Sequence, residues 1–338
     1  MLNKKVLAVA TGILCSLSVS TAFAEAEFKM INFLRYYKTM YNATPYTQLM
    51  QIPLGSGIEN VGGIEQDTKN LSRGLPMAFR PTKKPNEVWV LDSINESLKL
   101  FKSGRINRRI NLNKMGFIQD FAINNEGNMA FLNRMTGNIF VTDNKGNILK
   151  TIPGFQDANS IEFKSNKELL VVSPLSKGVV SVSTEGPVLA VYEADQSLSN
   201  FSSEKGIWGL VCFGGTLAKL YVRSTDFSFD NPVKVIAEFP LKGAYEGVEY
   251  KGGNIYGFDE EGNIYFGLIA CDLDGIIYRD RIYKCDQNGK VLKEMDVIDN
   301  GVLSPDLPRH RIACPDGKIM TFYSDEIKYY SLHLYTLK

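Results

Sequence analysis

Histidine and tryptophan are almost missing from this 338-residue chain, with two of each, and cysteine occurs only five times. The two histidines, His310 and His333, and the cysteines show no CxxC or HxxxH spacing, which excludes the usual zinc chemistry. Neither sign of charge is in excess, since 38 Lys and Arg face 37 Asp and Glu. That excludes a nucleic-acid binder working through a generally basic surface. No apolar run approaches the roughly 20 residues that cross a bilayer as a helix. Phosphate-binding and nucleophile motifs are missing too. CFGGTL from Cys212 is no phosphate loop, because no GxxxxGK[ST] or GxGxxG opens a helix. LGSGIENVGG from Leu54 lacks the strand-turn-helix setting of a GxSxG elbow. With 44% hydrophobic and 22% charged residues the chain can still bury a large core, so a disordered or fibrous chain is excluded.

The first residues point to a compartment. Lys4 and Lys5 precede the apolar run Val6 to Leu17, and Ala22-Phe23-Ala24 places small residues where a signal peptidase reads them. The expectation is a signal peptide over 1–24, cut after Ala24, and a periplasmic or secreted protein. Its removal shifts the formal net charge from +1 to −1 and takes Cys15 with it. Leu14 precedes Cys15 where lipid attachment wants a small residue. Cys212, Cys271, Cys285 and Cys314 remain, an even set that can form disulfides in an oxidising compartment. Cys271 and Cys285 flank two strands around a turn and are the expected pair.

What the chain does have is repetition. A polar turn followed by a short apolar strand recurs as NEVWVLD from Asn86, GNMAFLN from Gly127, KELLVVS from Lys167, TLAKLYV from Thr216, GNIYFGL from Gly262 and GKIMTFY from Gly317. The starts lie 41, 40, 49, 46 and 55 residues apart. Third strands follow in several units, such as ESLKLF, GNIFVTD and RIYKCD, and then fourth strands such as NILKTI and KVLKEM. Four short strands per unit suit one blade of a β-propeller, because a lone four-stranded sheet cannot bury both faces. The fold class expected is therefore all-β, a six-bladed β-propeller over 49–338, because six blades of roughly 45 residues fill the mature chain.

PMAFRPTKKPNEVWVLDSINESLKLFKSG, residues 76–104, resembles an NHL repeat: Pro, an apolar strand, a polar turn, a strand ending in Asp-Ser, Asn, then an aliphatic strand ending in Phe and Gly. QDFAINNEGNMAFLNRMTGNIFVTDNKGN, from Gln119, is a looser copy, and later units lose the Asp-Ser-x-Asn element. The resemblance implies a propeller of the NHL and TolB-like kind. It carries no activity, since such scaffolds serve many roles.

Two pieces lie outside the repeats. Over 25–48, Phe28, Ile31, Leu34, Tyr37 and Tyr41 recur at helical spacing with Lys29, Arg35 and Lys38 between them, which predicts a short amphipathic helix packed on the propeller. Gln48 to Leu54 is expected to pair with the final strand, Tyr330 to Leu337, and close the ring.

The innermost strands of a propeller border its central channel, so residues at their starts converge on one mouth. Registering these strands on their apolar residues aligns Leu75-Pro76, Gln119-Asp120, Asn159-Ser160, Trp208-Gly209, Glu246-Gly247 and His310-Arg311, with Arg309 alongside. Gln119, Asp120, Asn159, Ser160, Trp208, Glu246, Arg309, His310 and Arg311 form the candidate ligand-binding set. Arg supplies bidentate contacts to a carboxylate and Trp an apolar face. The expected function is binding or scaffolding, with a small anionic or sugar-like ligand or a protein partner and no nucleic acid. The alternative uses Asp120, Asn159 and Glu246 as hard oxygen ligands for calcium, polarising an ester or lactone carbonyl. That would resemble gluconolactonase-type enzymes, although those begin with a ligand Glu where this chain has Leu75-Pro76. A quinone-cofactor oxidoreductase on the same scaffold is the remaining enzymatic alternative.

Overall fold

One hairpin design recurs along the chain, a five-residue turn opened by Asp or Asn with Gly fourth. In Asp143-Asn144-Lys145-Gly146-Asn147 the Asp143 Oδ1 accepts the backbone N–H groups of Lys145 at 2.8 Å and Asn147 at 2.9 Å. Asn124 and Asp286 repeat both bonds, and Asp259 accepts the Asn263 N–H at 2.8 Å. The carboxylate or amide thus satisfies turn donors that no strand reaches. Gly146 supplies the positive φ of 87° that closes the turn, where a Cβ would stand 2.4 Å from Ile110 Cγ2.

The computed structural model describes residues 46–62, 76, 78–173, 178–192, 199–203, 206–213, 217–223, 234–240, 249–271, 277–297, 311–324 and 329–337. They form six four-stranded antiparallel sheets. The chain opens with β1 (Tyr46–Pro53), which belongs to the last sheet. The first blade is β2 (Ala78–Pro81), β3 (Glu87–Asp92), β4 (Ser97–Lys102) and β5 (Arg105–Asn111). The second is β6 (Asp120–Ile123), β7 (Met129–Asn133), β8 (Asn138–Thr142) and β9 (Ile148–Ile152), and the third β10 (Ser160–Ser165), β11 (Glu168–Ser173), β12 (Gly178–Ser183) and β13 (Val188–Tyr192). The fourth is β14 (Ser199–Ser203), β15 (Gly206–Phe213), β16 (Leu217–Arg223) and β17 (Lys234–Pro240). The fifth is β18 (Glu249–Phe258), β19 (Ile264–Cys271), β20 (Ile277–Cys285) and β21 (Val291–Asp296). The sixth is β22 (Arg311–Ala313), β23 (Lys318–Ser324) and β24 (Tyr329–Thr336), with β1 outermost. The first strand of each chain-ordered set is the inner one, and β6, β10, β14, β18 and β22 touch in that order around the channel.

The core lies in the seams between blades. Trp89, Leu91, Phe121 and Phe131 fill the first, and Leu132, Ile139, Ile161 and Val171 the next. Each buried side chain of this size contributes about 1.5–3 kcal/mol. Closure is antiparallel pairing of β1 with β24, from Tyr46 opposite Tyr335 to Pro53 opposite Tyr329. Met50 and Ile52 on β1 then pack with Phe79, Val90 and Phe101 of the first blade.

A buried ion pair locks that closure. Lys99 Nζ donates to Asp92 Oδ2 at 2.8 Å and to the Asn60 carbonyl, and both side chains are almost fully buried. Asp92 Oδ1 accepts the Gly62 N–H at 2.8 Å, and Asn95 Nδ2 donates to the Gly55 carbonyl at 2.9 Å. The Asp92-Ser93-Ile94-Asn95 element therefore anchors the segment that follows β1 onto the first blade.

Four sequence expectations need comment. The strand TLAKLYV is β16, third in its blade, whereas its counterparts are second strands, so the repeat pattern is one strand out of phase in the fourth blade. The expected signal peptide and amphipathic helix, residues 1–45, lie outside the described residues. The helical spacing extends the N-terminal piece to residue 48, whereas β1 already begins at Tyr46. The expected Cys271–Cys285 disulfide is not formed. Register puts Cys271 opposite Ile277 and Cys285 opposite Ile264, at opposite ends of one hairpin. Cys285 and Cys314 are buried free thiols, each pushed up to about 12 by burial.

Lys99→Met should cost about 3–5 kcal/mol, read as a fall in urea midpoint, because it strands the Asp92 carboxylate in the core. His333, stacked on Tyr46 at 4.0 Å, is held down to about 4 by burial against an ordinary 6.5. It stays neutral in the fold while the unfolded chain gains a proton below pH 6.5. Stability should be full above pH 6.5 and fall by up to roughly 3 kcal/mol towards pH 4. His333→Phe should flatten that part of the urea-midpoint profile.

Candidate functional site

Asp120 and Arg311, both expected at the mouth formed by the starts of the inner strands, are turned into the packing between blades. Asp120 is fully buried and its Oδ2 accepts the Ile161 N–H at 2.9 Å, tying β6 to β10. Arg311 is 4% exposed and its guanidinium forks onto Asp280, with Nη1 2.8 Å from Oδ1, and also donates to Tyr256 Oη at 3.1 Å. Burial works against the Arg311 charge, but Asp280 and Tyr256 hold its pKa above the ordinary arginine value. Burial likewise pushes the Tyr256 hydroxyl up to about 12.

The other described members of the set are placed separately. Gln119 Oε1 accepts the Arg134 N–H at 2.6 Å, Asn159 is exposed, and Ser160 is half-buried. Trp208 is on β15, second in its blade, where it pairs across with Phe201 and packs edge-on against Phe258 at 5.3 Å. The true inner strand there, Ser199–Ser203, has one apolar residue, so registering on apolar residues passed over it. Glu246, Arg309 and His310 lie outside the described residues. Of the calcium set, Asp120 is committed to a backbone donor and Asn159 faces solvent. Among the described residues no three His, Cys, Asp or Glu side chains are grouped to hold a metal ion.

The opposite mouth, at the far ends of the inner strands, holds a cavity of about 730 Å³. Arg80, Lys83, Asn124, Asn125, Glu162, Phe163, Lys164 and Phe258 are among its walls. Of the three cations there, Arg80 pairs with Glu162 at 2.8 Å and Lys164 with Glu168 at 2.9 Å, which leaves Lys83 to a ligand. Arg80 is the keystone. Its Nε donates to the Phe121 carbonyl at 2.5 Å, Nη1 to Glu162 at 2.8 Å and Nη2 to the Ile161 carbonyl at 3.1 Å. Asp120 stands 3.8 Å away, and the Phe121 ring lies 5.3 Å from the guanidinium carbon. One planar group thus joins β2, β6 and β10, a geometry lysine cannot reproduce.

Arg80 is committed to the protein, which leaves other groups for a ligand. Lys83 is exposed on the β2–β3 loop, and Asn125 is exposed in the turn that Asn124 Oδ1 organises. Phe163 and Phe258 are half-buried rings of the same cavity. Near this mouth Asp259 is opposed by burial, yet hydrogen bonds from Asn263, Lys284 and Tyr265 hold it below the usual carboxylate range. Sequence reasoning missed the mouth because it followed the starts of the inner strands. The available signal was Arg80, a charge inside the short inner strand AFRP.

The ring of six blades around one channel defines a six-bladed β-propeller. No family model matches the chain, and no curated protein does. Solved structures do. A member of the DUF4221 family from Bacteroides vulgatus matches with a TM-score of 0.53 at 9% identity, over 88% of this chain and 99% of that one. The RRP9 WD40 repeats match with a TM-score of 0.50 at 11% identity, over 78% and 94%. A streptogramin B lyase gives 0.45 at 11% identity, over 77% and 93%. Likeness at these identities shows the propeller fold alone.

Arg80→Met should lower stability by about 1–3 kcal/mol in urea unfolding, since Glu162 and two carbonyls lose a part-buried partner. Arg80→Lys should recover less than half of that loss, because it keeps the charge but not the fork.

Proposed function

We propose that this chain is an exported binding module of the NHL and TolB-like kind, and that its ligand is a small anionic, sugar-like molecule held at the far mouth of the channel. The observation that carries the reading is the 730 Å³ cavity whose walls hold exposed Lys83 beside Asn125, Phe163 and Phe258, with Arg80 and Lys164 already paired to Glu162 and Glu168. That volume lies within the range of small-molecule sites, which are apolar pockets with a few placed polar groups. Lys83 contributes the ligand's counter-charge and Asn125 a hydrogen-bonding amide. The Phe163 and Phe258 rings offer apolar faces to a sugar ring. Arg80 and Glu162 neutralise each other and fix the floor, so recognition falls to the rim. No step of bond making or breaking is assigned to these residues.

Calorimetric titration of the full chain with glucuronate and galacturonate, against neutral glucose and galactose, tests this reading. One-to-one binding of an acid, weakened about tenfold or more in Lys83→Glu, is the expected result. Equal binding of acid and neutral sugar, or turnover of a lactone or ester by the same protein, would sink it.

A further inference from the structure

Charge is balanced over the chain but not along it. Residues 97–119 hold six cations and no Asp or Glu. Lys99 is engaged by Asp92 inside the blade. The other five, Lys102, Arg105, Arg108, Arg109 and Lys114, are exposed on and around β5, the outermost strand of the first blade. Arg108 is braced by the Asn144 carbonyl of the second blade. The exposed amides of Asn107, Asn111 and Asn113 lie between these cations.

The hairpin register works against the fold. Lys102 is opposite Arg105, and Lys99 is opposite Arg109. Like charges directly opposite each other destabilise an antiparallel pair. The Lys102–Arg105 pair also flanks a turn in which Ser103 and Gly104 both take positive φ, 50° and 79°, so repulsion and an unfavourable serine conformation coincide. Cations do keep sheet edges from pairing with other chains. Edge protection does not account for β5, however, because β9, β13 and β21 expose Ile148-Leu149, Val188-Leu189 and Val291-Leu292.

The β4–β5 turn is tied inward. The Ser103 N–H donates to the Asn86 carbonyl at 2.9 Å, which joins the β4–β5 turn to the loop that carries Lys83 and Lys84. A cavity of about 290 Å³ beside that loop has Lys83, Lys84 and Lys318 in its walls, with Glu87, Glu260 and Asp316 on the other side of the ledger. The cationic hairpin is thereby fixed to the loop that borders the channel mouth, while the cations and carboxylates of the smaller cavity balance each other.

We propose that β5 docks an acidic polysaccharide, a linear sugar polymer bearing carboxylate or sulfate groups, whose chain runs from the rim towards the mouth. Repeated cations match repeated anions, and the interleaved amides match hydroxyl groups. Arg108 and Arg109, adjacent in the strand, project to opposite faces of the blade, which suits a polymer that follows an edge better than a planar lipid surface. The proposal rests on the mouth reading only for the direction of the chain.

The test uses the full chain at about 0.15 M salt, with polygalacturonate and dextran sulfate as probes and neutral dextran as control. Both anionic polymers bind and dextran does not. Arg105→Gln/Arg109→Gln weakens binding about tenfold or more and flattens its salt dependence. Arg105→Glu weakens binding while raising the thermal midpoint by about a degree, because it replaces a repulsive cross-strand pair with an attractive one. Unchanged polymer affinity in the double variant would overturn the proposal. So would tighter binding to phosphatidylglycerol vesicles or to duplex DNA than to either polymer, or a lowered midpoint in Arg105→Glu. Lys83→Glu separates the two sites: monomer binding weakened about tenfold or more with polymer binding kept is the expected pattern, and polymer binding absent while monomers bind would sink the β5 site alone.

Discussion

Everything in this molecule depends on closing a ring from both ends of the chain. Pairing β1 with β24 completes the sixth sheet and brings Met50 and Ile52 onto Phe79, Val90 and Phe101 of the first blade. Without that pairing β24 would present an open edge, the seam would lose its apolar filling, and the channel would have no fixed bore. The Lys99–Asp92 pair acts at the same seam, since it gathers the Asn60 carbonyl and the Gly62 N–H that follow β1. A buried pair is poor evidence of net stabilisation compared with an apolar core, but it penalises any register in which its partners are missing. Here it acts as a device for getting the closure right.

Two arginines show how the channel region is built. Arg80 spans three inner strands through two backbone carbonyls and Glu162, and Arg311 forks onto Asp280 beside Tyr256. Both serve the protein, because carboxylates and carbonyls of neighbouring strands hold each guanidinium in place. The residues suited to recognition are therefore the ones that loops hold in place over this rigid floor, Lys83 and Asn125 among them. That division of labour, strands for geometry and turns for chemistry, follows from the hairpin turns satisfying themselves through Asn124, Asp143 and Asp286.

The blade count and the ring closure were legible in the sequence because both rest on local patterns: alternating strands, glycine-bearing turns and a leftover strand at each end. The fourth blade was legible only as far as its apolar strands. Ser199–Ser203 has too little hydrophobic signal to be recognised as an inner strand, and that one omission carried Trp208 to the wrong position. The disulfide expectation failed for a related reason. Flanking a hairpin is not facing across it, and the register between Ile264 and Cys285 is set by the hairpin as a whole. The far mouth was illegible because its members, from Arg80 to Phe258, are scattered through the chain and meet only when the inner strands are arranged around an axis.

Net charge and charge placement lead to different conclusions about this chain. A balance of 38 against 37 argues against a generally basic surface. It does not register a strand such as β5, where the acids that restore the balance sit elsewhere. Several of those acids are already occupied: Asp92 by Lys99, Glu162 by Arg80, Asp280 by Arg311 and Asp296 by Arg281. Pairs of this kind cancel in the count and are silent at the surface, so the charge that a partner meets is the charge left over after internal pairing. In the first blade that remainder is cationic, and it lies along the side that leads to the mouth.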